Sequence, residues 1–238
     1  MSNPYFRFKK FTVWHDKCAM KVGTDGVLLG GWAWVKNAAR ILDIGTGTGL
    51  IALMLAQRKE TARIDAIDID PDACRQAEAN VAASPFADRI RVIPASLADY
   101  RPGEPGMYDL IVSNPPYFTD ALKCPDHQRR LARHTDTLPL AELMQTARGW
   151  LHPTGRLALV WPADGRSRLE TAAYDAGLYF IRITEVHSLP GTPPKRILAE
   201  LGLQPVGSPV AGSLTIEETA RRYTEEFTTL MKDFYLYL

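Results

Sequence analysis

Four consecutive residues in the middle of the chain, Asn114, Pro115, Pro116 and Tyr117, have the types needed to hold a planar amine. Asn114 Oδ1 can accept one hydrogen bond from an exocyclic NH2 group, and the Pro115 carbonyl can accept the other. The Tyr117 ring can stack on the heterocycle that carries the amine. Such contacts would aim a nitrogen for in-line attack on a sulfonium methyl group, and catalysis would rest chiefly on positioning. The plain alternative is a loop that holds one amide and one aromatic ring by chance. The flanking sequence argues against it. Asp109–Ser113 is a short apolar run that reads as a buried strand. Two prolines stop that strand because they have no N–H for a ladder, and their fixed φ makes a stiff turn. In an open α/β sheet the C-terminal end of a strand faces the ligand crevice.

A second constellation lies upstream. Arg40–Ile44 reads as a strand, Gly45, Gly47 and Gly49 as a tight turn, and Ile51–Gln57 as an apolar helix. Glycines let a ligand come close to the backbone. The spacing is G-x-G-x-G, which differs from the G-x-G-x-x-G of dinucleotide binders. Ile64–Asp70 is the next strand. Asp68 follows the last glycine by about twenty residues, where an acidic side chain holds ribose hydroxyls in Rossmann-like folds. Asp70 precedes Pro71 and reads instead as a helix N-cap. Asp72–Ser84 is then a helix and Arg89–Pro94 a third strand, running into Ser96 and Asp99.

The Leu42-Asp43-Ile44 strand, its glycine turn and the Asn114–Tyr117 motif together resemble the class I S-adenosylmethionine-dependent N-methyltransferases. The resemblance implies a Rossmann-like α/β fold, with a seven-stranded, mostly parallel sheet and an antiparallel edge hairpin. It implies S-adenosyl-L-methionine as cofactor. The region of Asp43 would meet the methionine amino group, Gly45, Gly47 and Gly49 would pass under the adenosine, and Asn114 would border both cofactor and substrate. Many relatives carry Asp where this chain has Ser96, to accept a bond from the cofactor's adenine amine. A neutral hydroxyl there weakens that bond by about 1 kcal/mol. Asp99 either compensates or caps the next turn. Relatives with this motif methylate adenine N6, guanine N2 or the amide of a glutamine side chain in release factors.

Residues 11–32 narrow the choice. This block is similar to the N-terminal block of the bacterial methyltransferases that make N6-methyladenine at position 37 of a valine tRNA, and the ending Phe234–Leu238 resembles the same family. The resemblance implies a tRNA partner. It places Lys21, Gly23, Thr24 and Asp25 at the methionine end of the cofactor. From the residues alone, Asp25 serves equally well as the cap of a helix over Val27–Trp34. The glutamine-amide methyltransferases remain the alternative.

The first 21 residues interleave Phe6, Phe8, Phe11 and Trp14 with Arg7, Lys9, Lys10, Lys17 and Lys21. One reading is a strand or hairpin that packs Phe6, Phe8 and Thr12 on the domain. The other adds a solvated basic face that meets phosphates. The formal charge is only +1, so any attraction to nucleic acid must be local.

Downstream, residues 119–137 form a long polar segment containing Lys123, Arg129, Arg130, Arg133 and His134. A connection of this length is usually functional, and it reads either as a lid over the base or as a solvated loop. Leu140–Leu151 is a helix, Arg156–Pro162 a strand, and Arg166–Ala176 a helix. Tyr179–Val186 and Lys195–Leu203 form a hairpin. Lys195 and Arg196 would either touch RNA or protect an edge strand. Ile216, Tyr223, Phe227, Leu230 and Phe234 keep helical spacing, which predicts one helix over Thr215–Asp233.

The 238 residues suffice for one methyltransferase domain, with 1–35 as an N-terminal arm and extension of the site. Cys18, Cys74 and Cys124 are scattered, as expected of thiols in a reducing cytoplasm. No run approaches the roughly 18 apolar residues of a membrane span, no Cys/His cluster has metal spacing, and no nucleophile–base pair stands out. A cytoplasmic monomer without metal is the expectation.

Overall fold

The apolar runs between residues 40 and 113 form the strands that their patterning predicts. In a computed structural model, which describes residues 3–16, 21–116 and 139–238, they are β3 (Arg40–Ile44), β4 (Arg63–Asp68), β5 (Ile90–Pro94) and β6 (Tyr108–Ser113), joined by β7 (Leu151–Pro162). These five strands are parallel, in the order β5-β4-β3-β6-β7. Parallel strands need cover on both faces, which is why they read as continuous apolar runs rather than as alternation. One face packs Ile41, Ile64 and Leu110 against α1 (Thr24–Trp32), α2 (Leu50–Arg58) and α3 (Pro71–Ala82). The other packs Leu42, Ile111 and Leu157 against α4 (Leu140–Trp150) and α5 (Arg166–Asp175).

The chain leaves β3 toward β4 and β5, then returns to β6 on the opposite side of β3. That reversal opens a crevice at the C-terminal ends of β3 and β6, where open α/β sheets bind ligands.

The expected hairpin is present as β8 (Tyr179–His187) and β9 (Arg196–Gly202), antiparallel to each other, with β9 also antiparallel to β7. The sheet, however, has eight strands rather than seven. β10 (Val210–Thr215) lies parallel to β8 on its outer side. Most of β10 is exposed and only Leu214 is buried, so its sequence carries little hydrophobic signal. β9 is paired on both flanks, and Lys195-Arg196 therefore does not guard a sheet edge.

The predicted helix over Thr215–Asp233 is little more than a third as long as expected. Its first part is a small hairpin of β11 (Glu217–Thr219) and β12 (Arg222–Tyr223), turning at Arg221 with φ +67°. The helix α6 spans only Glu225–Met231 and starts where the Thr224 hydroxyl accepts a hydrogen bond from the Phe227 N–H (3.1 Å). Ile216 and Tyr223 pack against the same core cluster as Phe227 and Phe234. The periodicity reported shared burial, and a cap decided where the helix begins.

At the N-terminus β1 (Tyr5–Arg7) and β2 (Thr12–Trp14) form an antiparallel hairpin. Phe8, Phe11 and Val13 are buried, Phe6 and Thr12 are half-buried, and Arg7, Lys9 and Lys10 are exposed. Among the described residues no helix is long and apolar enough to cross a membrane.

A buried carboxylate fastens the arm to the sheet. Glu200 of β9 is fully buried. It accepts from Arg156 Nη1 of β7 and Arg182 Nη2 of β8, each at 2.9 Å, and from the Trp34 N–H at 2.7 Å. Arg182 also donates to the Trp32 carbonyl (2.9 Å) and lies 3.6 Å from the centroid of that ring. Breaking one member of such a network leaves uncompensated charge behind. Glu200→Ala is expected to cost about 3–5 kcal/mol of unfolding free energy, read from a urea titration. A loss below about 1 kcal/mol would show that the two arginines find water instead.

Candidate active site

Strand register brings the ends of β3, β4, β5 and β6 level. Ile44 pairs with Ser113 on one side and Ile67 on the other, and Asp68 pairs with Pro94. The residues that follow, Gly45, Asn114 and Ala95, therefore emerge side by side. Local hydrogen bonds lock this edge. The Gly45 and Thr46 N–H groups donate to the Ile67 carbonyl (2.9 and 3.0 Å), Ala95 N–H donates to the Asp68 carbonyl (2.9 Å), and Ser113 Oγ donates to the Ile44 carbonyl (3.0 Å).

Gly45 and Gly47 adopt φ +71° and +56°, values that side-chain-bearing residues rarely take. A Cβ added at either would meet no atom within 4 Å, so the space over this turn is open to a ligand. Gly49 differs. It is the N-cap of α2, and a Cβ there would lie 3.4 Å from Ala77 of α3.

Asp68 touches the turn directly. Its Oδ2 accepts from the Gly47 N–H at 2.7 Å and its Oδ1 from the Asp70 N–H at 2.9 Å. Burial raises its carboxyl above the ordinary range, and these N–H groups pull against that rise. Each oxygen keeps a free lone pair, and the side chain is half-buried. Asp70 takes the capping role, with Oδ1 accepting from Asp72 N–H at 2.8 Å.

Asp43 lies beneath the turn, fully buried. Its Oδ2 accepts from Thr46 Oγ1 (2.6 Å) and Ala52 N–H (3.2 Å). Among the described residues its Oδ1 has no hydrogen-bond partner, and a buried polar atom in that state calls for an explanation. Burial pushes the Asp43 carboxyl up to about 7, the hydrogen bonds from Thr46 and Ala52 oppose it, and the charge of Asp68 adds to the rise. An open shelf over glycines, a half-buried Asp68 carboxylate with lone pairs to spare and an unsatisfied carboxylate oxygen beneath the turn could hold a ribonucleoside that carries a cationic group.

Asn114 is half-buried and Pro115 buried at the end of β6. Ser96 donates to Asp99 Oδ2 (2.6 Å) and accepts from Asp99 N–H (3.1 Å), so the two close a turn upon each other. Asp25 does not cap a helix. α1 starts at Thr24, its N-cap is Gly23, and no side chain caps it. The Asp25 carboxylate is drawn instead to Arg196 Nε (3.0 Å) at the start of β9. Pro162 at the end of β7 pairs with Arg196, so this ion pair draws Asp25 toward the same sheet edge; Lys21, Gly23 and Thr24 lie just before it in the chain. Tyr117 and residues 119–137, including Lys123, Arg129, Arg130, Arg133 and His134, lie outside the described residues, as do Cys18 and Cys124. Among the described residues no group of three or more His, Cys, Asp or Glu side chains is arranged to hold a metal ion.

A residue that no sequence motif marks braces the turn. Asn80 of α3 is fully buried. Its Nδ2 donates to the Thr48 carbonyl in the glycine turn and to the Trp14 carbonyl, and its Oδ1 accepts from Trp14 N–H, all at 2.9 Å. An asparagine in the interior of an alanine-rich helix is poorly placed by propensity, and that mismatch was the available signal.

Residues 33–168 match the family model described as "Methyltransferase small domain". A protein of Parabacteroides distasonis named tRNA1(Val) (adenine(37)-N6)-methyltransferase is 60% identical over 99% of both chains. One of the same name from Tolumonas auensis is 45% identical over 99% of this chain and 98% of its own. The chain belongs to this methyltransferase family. The fold is shared more widely. The crystal structure of a predicted O-methyltransferase from Agrobacterium tumefaciens has a TM-score of 0.67 at 21% identity, covering 88% of this chain and 96% of its own.

The raised Asp43 carboxyl has a consequence for stability. The folded state holds this proton more tightly than the unfolded chain, for which about 4 is ordinary. The contribution of this group is therefore complete below about pH 4 and is lost as pH rises through about 7. Asp43→Asn is expected to remove that decline, gaining roughly 4 kcal/mol on the parent between about pH 4 and pH 8. Urea midpoints across this range test it, and parallel curves for the two proteins would contradict it.

Proposed function

We propose that this chain transfers a methyl group from S-adenosyl-L-methionine to the N6 amine of adenine 37 in a valine tRNA, as a cytoplasmic monomer. The observation that carries the reading is the placing of Asn114 beside the glycine turn, at the crevice between β3 and β6, in a chain whose relatives are named for this reaction. None of the relatives reported above is named for a glutamine amide.

The cofactor supplies an electrophilic methyl group on a sulfonium. The protein's part is to bind, orient and exclude. Gly45 and Gly47 leave room for an adenosine against the backbone. Asp68, already fixed by two N–H groups, offers its remaining lone pairs to the ribose hydroxyls. The unpaired Oδ1 of Asp43 favours a nearby cation once the carboxyl is ionised. Ser96 offers a hydroxyl already shared with Asp99. Lys21, Gly23, Thr24 and Asp25 belong to the methionine end in this reading.

At the substrate, Asn114 Oδ1 and the Pro115 carbonyl accept the two N–H bonds of the adenine amine, and Tyr117 stacks on the ring. Two acceptors and no donor select NH2. The contribution is orientation of the nitrogen lone pair. No strong base is required, because an aromatic amine readily sheds its proton once methylated. An anticodon-loop base is unpaired or easily splayed, so it can enter such a pocket.

Labelled cofactor, an unmodified valine tRNA transcript and nucleoside analysis test the reading. Label is expected in N6-methyladenosine, and label in any other nucleoside or in none rejects it. Asn114→Ala should lower turnover at least about a hundredfold while calorimetry finds cofactor affinity nearly unchanged. A variant with parental turnover would remove Asn114 from the mechanism. Asp68→Asn cannot accept from both Gly47 and Asp70, because one oxygen becomes an NH2 group. Cofactor affinity should fall by about 1.5–3 kcal/mol, the range for hydrogen bonds to charged groups.

A further inference from the structure

The hairpin β1–β2 and the end of α3 enclose a surface cleft of about 610 Å³ that no part of the reaction uses. Two chemistries line it. Arg7, Lys9 and Lys10 bring positive charge, and Tyr5 and Trp14 bring rings. The two rings pair with centroids 4.9 Å apart, yet Tyr5 is 36% and Trp14 44% exposed. Neither ring belongs to the buried core, where Phe8, Phe11 and Val13 anchor the hairpin. Lys9 Nζ donates to the Lys232 carbonyl and so secures the hairpin to the end of α6. Among the described residues no hydrogen bond or ion pair engages the side chains of Arg7 and Lys10.

Unengaged cations beside exposed, paired rings match single-stranded nucleic acid, in which phosphates alternate with bases that stack. A protein of net charge +1 must draw a polyanion through such a local patch. The cleft also has a fixed relation to the cofactor turn. Asn80 bonds Trp14 on one side and Thr48 on the other, each at 2.9 Å, and is itself fully buried. RNA held by the hairpin is thereby held at a set position relative to Gly47 and Gly49.

We propose that this cleft is the docking surface for the tRNA backbone, with Arg7 and Lys10 on phosphates and the Trp14–Tyr5 pair stacking an unpaired base. The proposal rests on the RNA-substrate reading above and adds where the RNA sits.

The test measures binding of an unmodified valine tRNA transcript to the full chain as a function of salt, alongside cofactor affinity and methylation. The Arg7→Ala/Lys10→Ala double variant changes only exposed side chains. It is expected to bind more weakly at low salt, with the slope of log K against log salt reduced by about 1.4, the counterions released by two contacts to a single strand. Cofactor affinity should stay unchanged and KM for tRNA should rise with little change in kcat. Trp14→Ala should weaken binding with the salt slope intact, because stacking releases no counterions. A double variant with parental affinity and slope overturns the docking surface and leaves the methyltransferase reading standing. A parent protein that binds the transcript but methylates no adenine does the reverse. A parent that binds no RNA overturns both.

Discussion

The hydrogen bond from the Gly47 N–H to Asp68 Oδ2, at 2.7 Å, is the constraint on which the rest of the site depends. A turn with three glycines at positive φ has much backbone freedom to lose on folding. A half-buried carboxylate at the end of the neighbouring strand removes much of that freedom with a charge-assisted bond. The same carboxylate holds Asp70, which in turn starts α3. α3 then supplies Asn80, which returns to the turn at Thr48. Turn, strand end and helix thus form a closed loop of contacts around a space left empty by the missing side chains of Gly45 and Gly47.

The arm is fastened to the sheet by a different device. Glu200, Arg156 and Arg182 bring opposite charges together in the interior, and Asp25 meets Arg196 near the surface. Buried ion pairs are weak sources of net stability but are intolerant of loss of one partner. They also fix direction, because each accepts only one arrangement of donors. Here they determine how the end of α1, at Trp32 and Trp34, meets three strands, and how its beginning meets the sheet edge. Residues 25–34 are thereby fastened to the main sheet without contributing a strand to it.

Under the proposed function, selectivity for an amine follows from what the turn after β6 offers. In the proposed reading, the Asn114 Oδ1 and a backbone carbonyl both accept, and an NH2 group has two protons to give. A hydroxyl would leave one acceptor unpaired. The structural likeness to a predicted O-methyltransferase therefore speaks for the shared α/β scaffold and not for shared chemistry.

Sequence by itself was sufficient for the parallel half of the sheet, the glycine turn, the capping role of Asp70, and the strand that leads into Asn114. These are local matters: apolar runs, positive φ, a proline after an N-cap, two prolines after a strand. Contacts between residues distant in the chain were decided only by the tertiary structure. The pairing of Asp25 with Arg196 spans 171 residues and that of Asn80 with Trp14 spans 66, so no local pattern announces them. β10 carries no local signature because an exposed strand has little hydrophobic alternation, and the C-terminal hairpin mimics a helix because Ile216 and Tyr223 share a core with α6 at helical spacing. Periodicity records which residues are buried together. The backbone path that buries them is chosen by caps, turns and partners that only the folded chain brings within reach.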